Sequence, residues 1–488
     1  MKSRILCCFL LCLAVAAYTG CSRDESPTTP ASPVATDQAP PAVIAEQLLA
    51  STGWTRDPDA VLPEEWAAED KSGRCFVEDF GREVVVGNIV HYWWVVSTGP
   101  GQHERIGLHR VVKERRPFRP IRARRNLFAL HGTPGKFDVM FLFGSVTSAP
   151  DDHSLAVYLA RRNVDVWGID QPATLIPADV EDFSFMADWS MQTDVDALRT
   201  GMAVARISRL LSGSGFGRMN LLGYSTGLMT GFAALDLETQ LPWWARHVGG
   251  FIPVDYFYKT QSEEWNAGEC ANVDFVEDLF SQGIYQADFG ILFQTMGMLA
   301  QNDPQGDSPI VPGFDNRTAA LMAGAVTGAI FGFPGDLHFF GGEFDEETGL
   351  PTDLVYTPTD QYFEWLQGFN DYNSYGHDYD ISRIHCPDTE SPWDDHLDEI
   401  TVPVFFVGAE GGWGSLMDHT ASLLTGSDDV SLLNVSLNPV QALDIGHVDI
   451  FTAECAPQEF WRPMLEWIVQ HSGRDEPEAL ASEASVSR

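Results

Sequence analysis

The chain has 488 residues, of which 44% are hydrophobic, so it has enough apolar surface for a large core and is long for a single domain. Asp and Glu number 69 against 30 Lys and Arg, and the resulting net charge of −39 repels the phosphates of nucleic acids. The composition therefore predicts an acidic globular protein that does not bind nucleic acid, with one core domain that carries a sizeable insertion.

The first twenty residues have the organisation of an export signal. A positively charged start is followed by the apolar run 5–18, which is too short to span a bilayer as a mature helix. The run ends in Tyr-Thr-Gly-Cys, which resembles a bacterial lipoprotein signal, in which Cys21 becomes the first mature residue and carries the lipid. Tyr18 departs from that pattern, where leucine is usual, so cleavage without lipidation is the alternative. We expect a signal peptide over residues 1–20 and an exported protein, lipid-anchored to a bacterial membrane on its periplasmic or cell-surface side.

The segment after this cysteine has no hydrophobic periodicity. Residues 21–43 are rich in Pro, Ser, Thr and Ala, which predicts a flexible tether between a membrane anchor and a globular domain. The periodic segments divide the rest of the chain into four parts. They are a first core segment over 44–255, a cap or lid insertion over 256–392, a second core segment over 393–472 and a disordered polar tail over 473–488.

Four cysteines lie beyond the predicted lipidation site. Cys75, Cys270, Cys386 and Cys455 show no C-x-x-C spacing, so a zinc site is not expected. In an oxidising compartment they could form two disulfides, and the three possible connectivities stay open.

The first periodic segments after the tether predict antiparallel strands. Residues 83–97 and 105–112 contain β-branched and aromatic runs. A strand over 127–130 follows and runs directly into a His-Gly-Thr-Pro-Gly turn over 131–135.

A second apolar run offers an alternative position for this strand and turn. It covers 139–143 and is followed by Gly144 and Ser145. The turn over 131–135 is favoured because its motif is the more specific.

Helices and buried strands alternate through the middle of the chain. A helix over 152–162 precedes the continuous run 164–170, which reads as a buried strand, and a helix followed by a strand buried on both faces is a parallel βαβ unit. A second helix over 194–211 leads through a Gly-Ser-Gly turn to a buried strand over 219–222. This alternation predicts a doubly wound α/β fold with a mostly parallel sheet.

A G-x-S-x-G pentapeptide over 223–227 stands between that strand and an apolar helical segment over 228–237. A serine on so sharp a strand-to-helix turn has strained backbone, and the flanking glycines are needed where neighbouring chain passes close. The first N–H groups of the helix point at the serine, where negative charge would develop during acyl transfer. The motif in this context predicts that Ser225 is a nucleophile.

Periodicity fades after a strand over 249–254 that ends at Asp255. The long region that follows is dense in aromatic residues, Gly and Asp, and we expect it to form the cap. Within it, 318–333 is expected to be a packed helix, with the lining of an acyl pocket as the alternative. The core pattern resumes with strands over 402–407 and 430–435, helices over 417–424 and 459–470, and a Gly-His-Val-Asp turn at 446–449.

Several of these motifs resemble the α/β-hydrolase superfamily. The turn over 131–135 resembles the His-Gly turn that follows the third strand of the family and lends a backbone N–H to the oxyanion hole. The stretch 154–170 is similar to the helix and fourth strand of its lipase-like members. The serine pentapeptide and His447, after the final strand, satisfy the family's chain order of serine, acid and histidine. The resemblance implies an α/β-hydrolase fold with an inserted cap, and a lipase-like or esterase-like activity.

A serine hydroxyl needs a base within hydrogen-bond reach, and the base needs a group that holds its tautomer. The resemblance implies His447 as the base. The usual place of the acid, after the seventh strand of the family, corresponds to Gly412, which departs from the pattern. Asp255, at the end of the sixth strand, and Glu410 are both candidates, and the choice stays open. Weaker candidates, which would require the loop to fold back, are Asp418, Asp428 and Asp429.

The backbone N–H groups of Thr226 and Thr133 are expected to hold the oxyanion, and Ser145 is the alternative to Thr133. His131 is expected to orient this turn and not to act as the base. The expected reaction is hydrolysis of a small-molecule ester or lipid through an acyl-enzyme, which needs no metal or organic cofactor.

Two other functions remain open. A peptidase or amidase is one, because His-Gly-x-Pro-Gly also occurs in proline-releasing peptidases of this superfamily. A non-catalytic binding lipoprotein on the same fold is the other, and the missing acid at Gly412 favours it.

Overall fold

The computed structural model describes residues 39–66 and 74–472, so the predicted signal peptide, Cys21 and the predicted tail lie outside the described residues. A ten-stranded sheet forms the centre, in the order β1-β2-β3-β6-β5-β7-β8-β13-β14, with β4 paired to β3. The strands are β1 Val77–Val86, β2 Ile89–Ser97, β3 Arg105–Arg116, β4 Arg119–Pro120, β5 Arg125–Leu130, β6 Val164–Asp170, β7 Met219–Tyr224, β8 Val248–Val254, β9 Gln286–Ala287, β10 Gly342–Phe344, β11 Pro351–Leu354, β12 Asn373–Ser374, β13 Val404–Ala409 and β14 Val430–Val435.

The fold class predicted from the sequence is confirmed. Strands β6, β5, β7, β8, β13 and β14 run parallel, while β1, β2 and β3 form an antiparallel extension on one side. Every residue of β6, β7 and β13 is buried, which explains their mainly apolar sequences. The run 83–97 is divided by a turn at Gly87, whose φ of +61° suits glycine, into the end of β1 and the whole of β2.

Helices cover both faces of this sheet. Neighbouring residues of one strand point to opposite faces of the sheet. Leu221 packs with the helices Met191–Leu211 and Thr226–Thr239, whereas Leu222 packs with the helices Leu155–Arg161 and Arg462–His471. The helices are α1 Pro41–Thr52, α2 Phe137–Phe141, α3 Phe143–Val146, α4 Leu155–Arg161, α5 Met191–Leu211, α6 Thr226–Thr239, α7 Glu263–Ser281, α8 Phe289–Asn302, α9 Asn316–Ala325, α10 Thr327–Phe331, α11 Thr359–Gln367, α12 Tyr375–His385, α13 Met417–Leu423, α14 Asp449–Thr452 and α15 Arg462–His471.

Two local predictions differ from the structure. The alternative strand over 139–143 is wrong, because this apolar run forms α2 and α3 and is buried as short helices, a case that periodicity alone cannot distinguish from a buried strand. The predicted tether ends too late, because α1 begins at Pro41 and buries Ala42 and Ile44 against the sheet.

The region between β8 and β13 contains α7 to α12 and the short strands β9 to β12. The predicted helix over 318–333 is two helices, α9 and α10, which meet at Val326. One disulfide joins Cys270 on α7 to Cys386 at the end of α12, whereas Cys75 and Cys455 are free thiols. The described residues contain no helix that is long and apolar enough to cross a membrane.

Candidate active site

Ser225 stands on the sharp turn between β7 and α6, with φ of +54° and ψ of −132°. Its N–H donates to the carbonyl of Val254 at 3.0 Å, which fixes the turn against β8. A Cβ on Gly223 would lie 2.7 Å from the carbonyl oxygen of Gly227, and a Cβ on Gly227 would lie 2.3 Å from that of His131. Glycine is therefore required on both sides of the serine, as the motif predicts, because the chain crosses itself there.

A buried carboxylate and an imidazole meet beside this turn. His447 Nδ1 lies 2.6 Å from Asp255 Oδ2, and both side chains are almost completely buried. Asp255 also accepts two backbone N–H bonds, from Ala409 at 2.7 Å and from Trp413 at 3.2 Å. These donors offset the desolvation of the charge. Asp255 has φ of +49°, and a strained backbone of this kind is typical of functional sites.

The other acidic candidates make different contacts. Glu410 accepts a hydrogen bond from Asn434 Nδ2 at 2.5 Å, and its carbonyl accepts one from Gln441. Asp429 pairs with His471 at 3.0 Å. The structure thus brings Asp255 to His447 and directs Glu410 towards β14.

Gly412, where the family pattern places the acid, has no room for a side chain. A Cβ there would lie 2.1 Å from Asp255 Oδ2 and 3.1 Å from the Cα of His447. The carboxylate from the end of β8 therefore occupies the space that an acid after β13 would need. The position of Asp255 thus explains why the sequence departs from the family pattern at Gly412.

Three aromatic rings enclose the imidazole of His447. Tyr224, the residue before Ser225, stacks on it at 4.6 Å between ring centroids, Trp413 meets it edge-on at 4.6 Å, and Phe339 stacks at 5.7 Å. The backbone N–H of His447 donates to the carbonyl of His338 at 3.1 Å. Ser225 and His447 thus lie at the same carboxyl edge of the sheet, in one packed cluster.

The turn over 131–135 passes directly above the serine. A Cβ on Gly132 would lie 2.5 Å from Ser225 Cβ and 3.1 Å from its Oγ, so only glycine allows this approach. The N–H of Thr133 donates to Thr226 Oγ1 at 2.8 Å, and the N–H of Gly135 donates to Asp371 Oδ2 at 3.0 Å. The turn is therefore connected to α6 on one side and to the inserted region on the other.

His131 lies under this turn and is buried, which lowers the pKa of its imidazole. Nδ1 contacts the carbonyl oxygen of Gly132 at 2.9 Å, and Nε2 lies 3.4 Å from the backbone N–H of Gln171. These partners assign the proton to Nδ1, which leaves Nε2 as the acceptor. Ser145, the alternative to Thr133, lies in α3, where its N–H donates to the carbonyl of Leu142.

Sequence reasoning missed three side chains that hold these loops. Asp449 accepts N–H bonds from Gly341 at 2.8 Å and from Gly446 at 2.9 Å, and burial raises its pKa to about 6. His338 contacts two backbone carbonyls, of Asp336 at 3.0 Å and of Asp444 at 2.8 Å, while Asp371 comes from the inserted region. The Gly-His-Val-Asp turn carries a signal for Asp449, but no local pattern marks His338 or Asp371. In the described part of the chain, no three His, Cys, Asp or Glu side chains converge as a metal site.

No protein-family model and no curated protein sequence matches the chain. A candidate lipase from Sulfolobus solfataricus is similar to it in structure, with a TM-score of 0.53 and 18% identity over 80% of this chain and 99% of that one. The chain has the α/β-hydrolase fold. At this identity, the similarity extends to the fold alone.

Two other solved structures have lower TM-scores to this chain. Monoglyceride lipase from Saccharomyces cerevisiae has a TM-score of 0.43 and 11% identity, with coverage of 83% of this chain and 99% of that one. Epoxide hydrolase I from potato has a TM-score of 0.37 and 12% identity, with coverage of 75% and 96%.

Proposed function

We propose that the protein is a serine hydrolase that cleaves carboxylic esters. The observation that carries the proposal is the 2.6 Å contact between Asp255 and His447, next to a serine held in strained backbone at the same sheet edge. A buried carboxylate on Nδ1 fixes the tautomer in which Nε2 can accept a proton, which is the arrangement that a nucleophilic serine requires.

The reaction follows from these positions. Ser225 Oγ attacks the ester carbonyl carbon while His447 accepts its proton, and Asp255 stabilises the imidazolium that forms. Backbone N–H groups at the start of α6, next to the turn over 131–135, stabilise the oxyanion. The imidazolium then protonates the departing alcohol. Water, activated by the same histidine, hydrolyses the acyl-enzyme and releases the acid.

The surroundings of His447 support an ester with an apolar acyl or alkyl group. Phe339 is only partly buried, and its ring lies 6.2 Å from Phe331 and 6.0 Å from Trp413. Phe331 in turn lies 6.3 Å from Phe333. An aromatic surface that begins at the base favours hydrophobic substrates over polar ones.

Hydrolysis of p-nitrophenyl esters of increasing acyl length tests this proposal. We expect turnover by the wild-type protein and a loss of about 10⁴-fold or more in Ser225→Ala, since the nucleophile is then missing. Proline p-nitroanilide in parallel distinguishes an amidase, and turnover of the anilide alone would replace the ester hydrolase with a peptidase. A protein that hydrolyses neither substrate, or a Ser225→Ala variant as active as the wild type, would contradict the proposal.

We also propose that the protein is exported and anchored through a lipid on Cys21. The sequence pattern at the end of the apolar run supports this. Metabolic labelling with a radioactive fatty acid in bacteria should label the wild type and not Cys21→Ser. Release of an unlabelled, processed wild-type protein would instead indicate cleavage without lipidation.

A further inference from the structure

The hydroxyl of Thr226 accepts a hydrogen bond from one of the two backbone donors expected to stabilise the oxyanion. Thr133 N–H donates to Thr226 Oγ1 at 2.8 Å. An N–H with this partner is already satisfied before any substrate arrives. The Thr133 member of the expected pair of backbone donors is therefore not free in this structure, because the side chain after the nucleophile accepts its hydrogen bond.

A hydroxyl that accepts a hydrogen bond still has one proton to donate. For Thr226, the bond from Thr133 is the hydrogen bond that the structure gives its Oγ1, and here the hydroxyl accepts. Thr226 is only partly buried, like Ser225 beside it, which leaves the open side of the site as a direction in which the hydroxyl can donate. A hydroxyl polarised by an N–H on its oxygen is a stronger donor than an isolated one, because hydrogen bonds in a chain reinforce each other.

Thr226 lies beside the nucleophile, where the reacting carbonyl would bind. Thr226 is the first residue of α6, whose N-terminal end also favours negative charge there. Gly132 lies against Ser225 Cβ and Oγ, which keeps the turn close to the nucleophile. A carbonyl oxygen bound above Ser225 would approach the backbone N–H of Thr226 and reach its hydroxyl at the same time.

We infer that the Thr226 hydroxyl is a catalytic residue of this site, which donates a hydrogen bond to the oxyanion and is itself held by Thr133 N–H. The inference rests on the proposed ester hydrolase activity. Thr226 then supplies two donors, its backbone N–H and its hydroxyl, and Thr133 acts through the hydroxyl. No proton leaves Thr226 during the reaction, because the hydroxyl only donates a hydrogen bond.

A hydroxyl that only blocks the oxyanion position would have the opposite effect on turnover. A hydroxyl that merely occupies the place of the carbonyl oxygen would have to move aside, so its removal would free Thr133 N–H and raise turnover. A hydroxyl that donates to the oxyanion would lower turnover when removed. Substitution by valine, which keeps the shape and removes the hydroxyl, therefore separates the two roles by the sign of the effect.

The experiment compares Thr226→Val and Thr226→Ser with the wild type, using the p-nitrophenyl ester that the wild type hydrolyses fastest. Thr230→Val is the matched control, because Thr230 lies one turn further along α6, is buried, and contacts His377 Nε2 at 3.3 Å. We expect Thr226→Val to lower kcat by about 10²-fold to 10³-fold with little change in KM, as for the loss of one oxyanion donor. Thr226→Ser should recover most of the loss, and Thr230→Val should keep wild-type kcat.

Affinity for phenylboronic acid, which forms a tetrahedral adduct with the serine, provides a second measurement. It should fall in Thr226→Val in proportion to kcat/KM, which a loss of packing alone would not produce. Thermal unfolding of each variant shows that it is folded. A Thr226→Val variant as fast as the wild type or faster, while Ser225→Ala is inactive, would overturn the inference and leave the proposed function intact. A wild-type protein no faster than Ser225→Ala would instead contradict the proposed function.

Discussion

The two halves of the candidate site are held in different ways. The acid–base half consists of Asp255, His447 and their supports, and the oxyanion half consists of residues 131–135 with Ser225 and Thr226. The Asp255 carboxylate makes three hydrogen bonds, two of them with backbone N–H groups, and the His447 ring is packed between aromatic rings. In the oxyanion half, two backbone N–H groups of the turn donate to two side chains, Thr226 Oγ1 and Asp371 Oδ2.

This difference indicates which substitutions should disturb each half of the site. Several backbone and ring contacts define the position of the imidazole, so a single surrounding side chain matters little there, and the sensitive group is the carboxylate itself. The position of the turn depends on individual acceptors, one from α6 and one from the inserted region. Changes near Asp371 in the insertion should therefore reach the oxyanion half directly.

Asp255→Asn should have the largest effect on turnover. The amide keeps the size of the side chain but cannot hold the Nδ1–H tautomer as a carboxylate does, so we expect kcat to fall by about 10⁴-fold. Steady-state hydrolysis of the ester measures this fall in kcat. Glu410→Gln is the control, since Glu410 contacts Asn434, and it should stay within about twofold of the wild type. The reverse ranking of the two variants would place the acid after β13 and contradict the geometry at Gly412.

Asp371→Ala should have a smaller effect on turnover, through the oxyanion half of the site. It removes the acceptor for Gly135 N–H and leaves a buried donor unsatisfied, which costs about 1–3 kcal/mol. Because the turn is then less well positioned, we expect kcat to fall by about tenfold while KM changes little. Asp371→Asn keeps an acceptor oxygen and should restore kcat. If alanine and asparagine were equally active, Asp371 would play no part in positioning the turn.

Asp371→Asn should also change how stability depends on pH. Burial raises the pKa of Asp371 to about 6, against the partly compensating charge of Lys136. The unfolded chain releases this proton near pH 4 and the folded chain near pH 6, so the wild type loses stability as pH rises between these values. The variant has no such loss. Its free energy of unfolding should equal that of the wild type at pH 4 and exceed it by about 1–3 kcal/mol at pH 8. Denaturant unfolding at both pH values measures it, and a pH-independent difference would contradict the assignment.

The double substitution Cys270→Ser with Cys386→Ser should have the smallest effect on turnover. The disulfide joins α7 to the end of α12, with a sequence separation of 116 residues, and touches neither half of the site. Its loss should lower the free energy of unfolding by about 4–5 kcal/mol through the entropy of the unfolded chain. Thermal unfolding should show the loss, with kcat at 25 °C unchanged. A large fall in kcat well below the unfolding temperature would mean that the disulfide helps to position the site.

The parallel core could be predicted because both of its determinants are local. Strands such as β6 and β7 are buried on both faces and have mainly apolar sequences, and the glycines around Ser225 mark a turn that only they allow. The only prediction for the run 139–143 is a strand, but the run forms short helices instead. A short buried helix and a short buried strand have the same composition, so the sequence does not distinguish them.

The choice between Asp255 and Glu410 could not be made from the sequence. It depends on the space at Gly412, which is filled by a side chain that comes from a distant part of the chain. Asp371 and His338 were missed because they act through backbone groups of loops that are remote in sequence. Such contacts leave no periodicity and no motif.

Labelling with a fluorophosphonate tests the central claim most directly, namely that Ser225 is a nucleophile activated by His447 and Asp255. Intact-mass spectrometry should show one adduct per chain, and peptide mapping should place it on Ser225. Labelling should be absent in Ser225→Ala and much slower in His447→Ala and Asp255→Asn. A wild-type protein that stays unlabelled, or an adduct on another serine, would contradict the account.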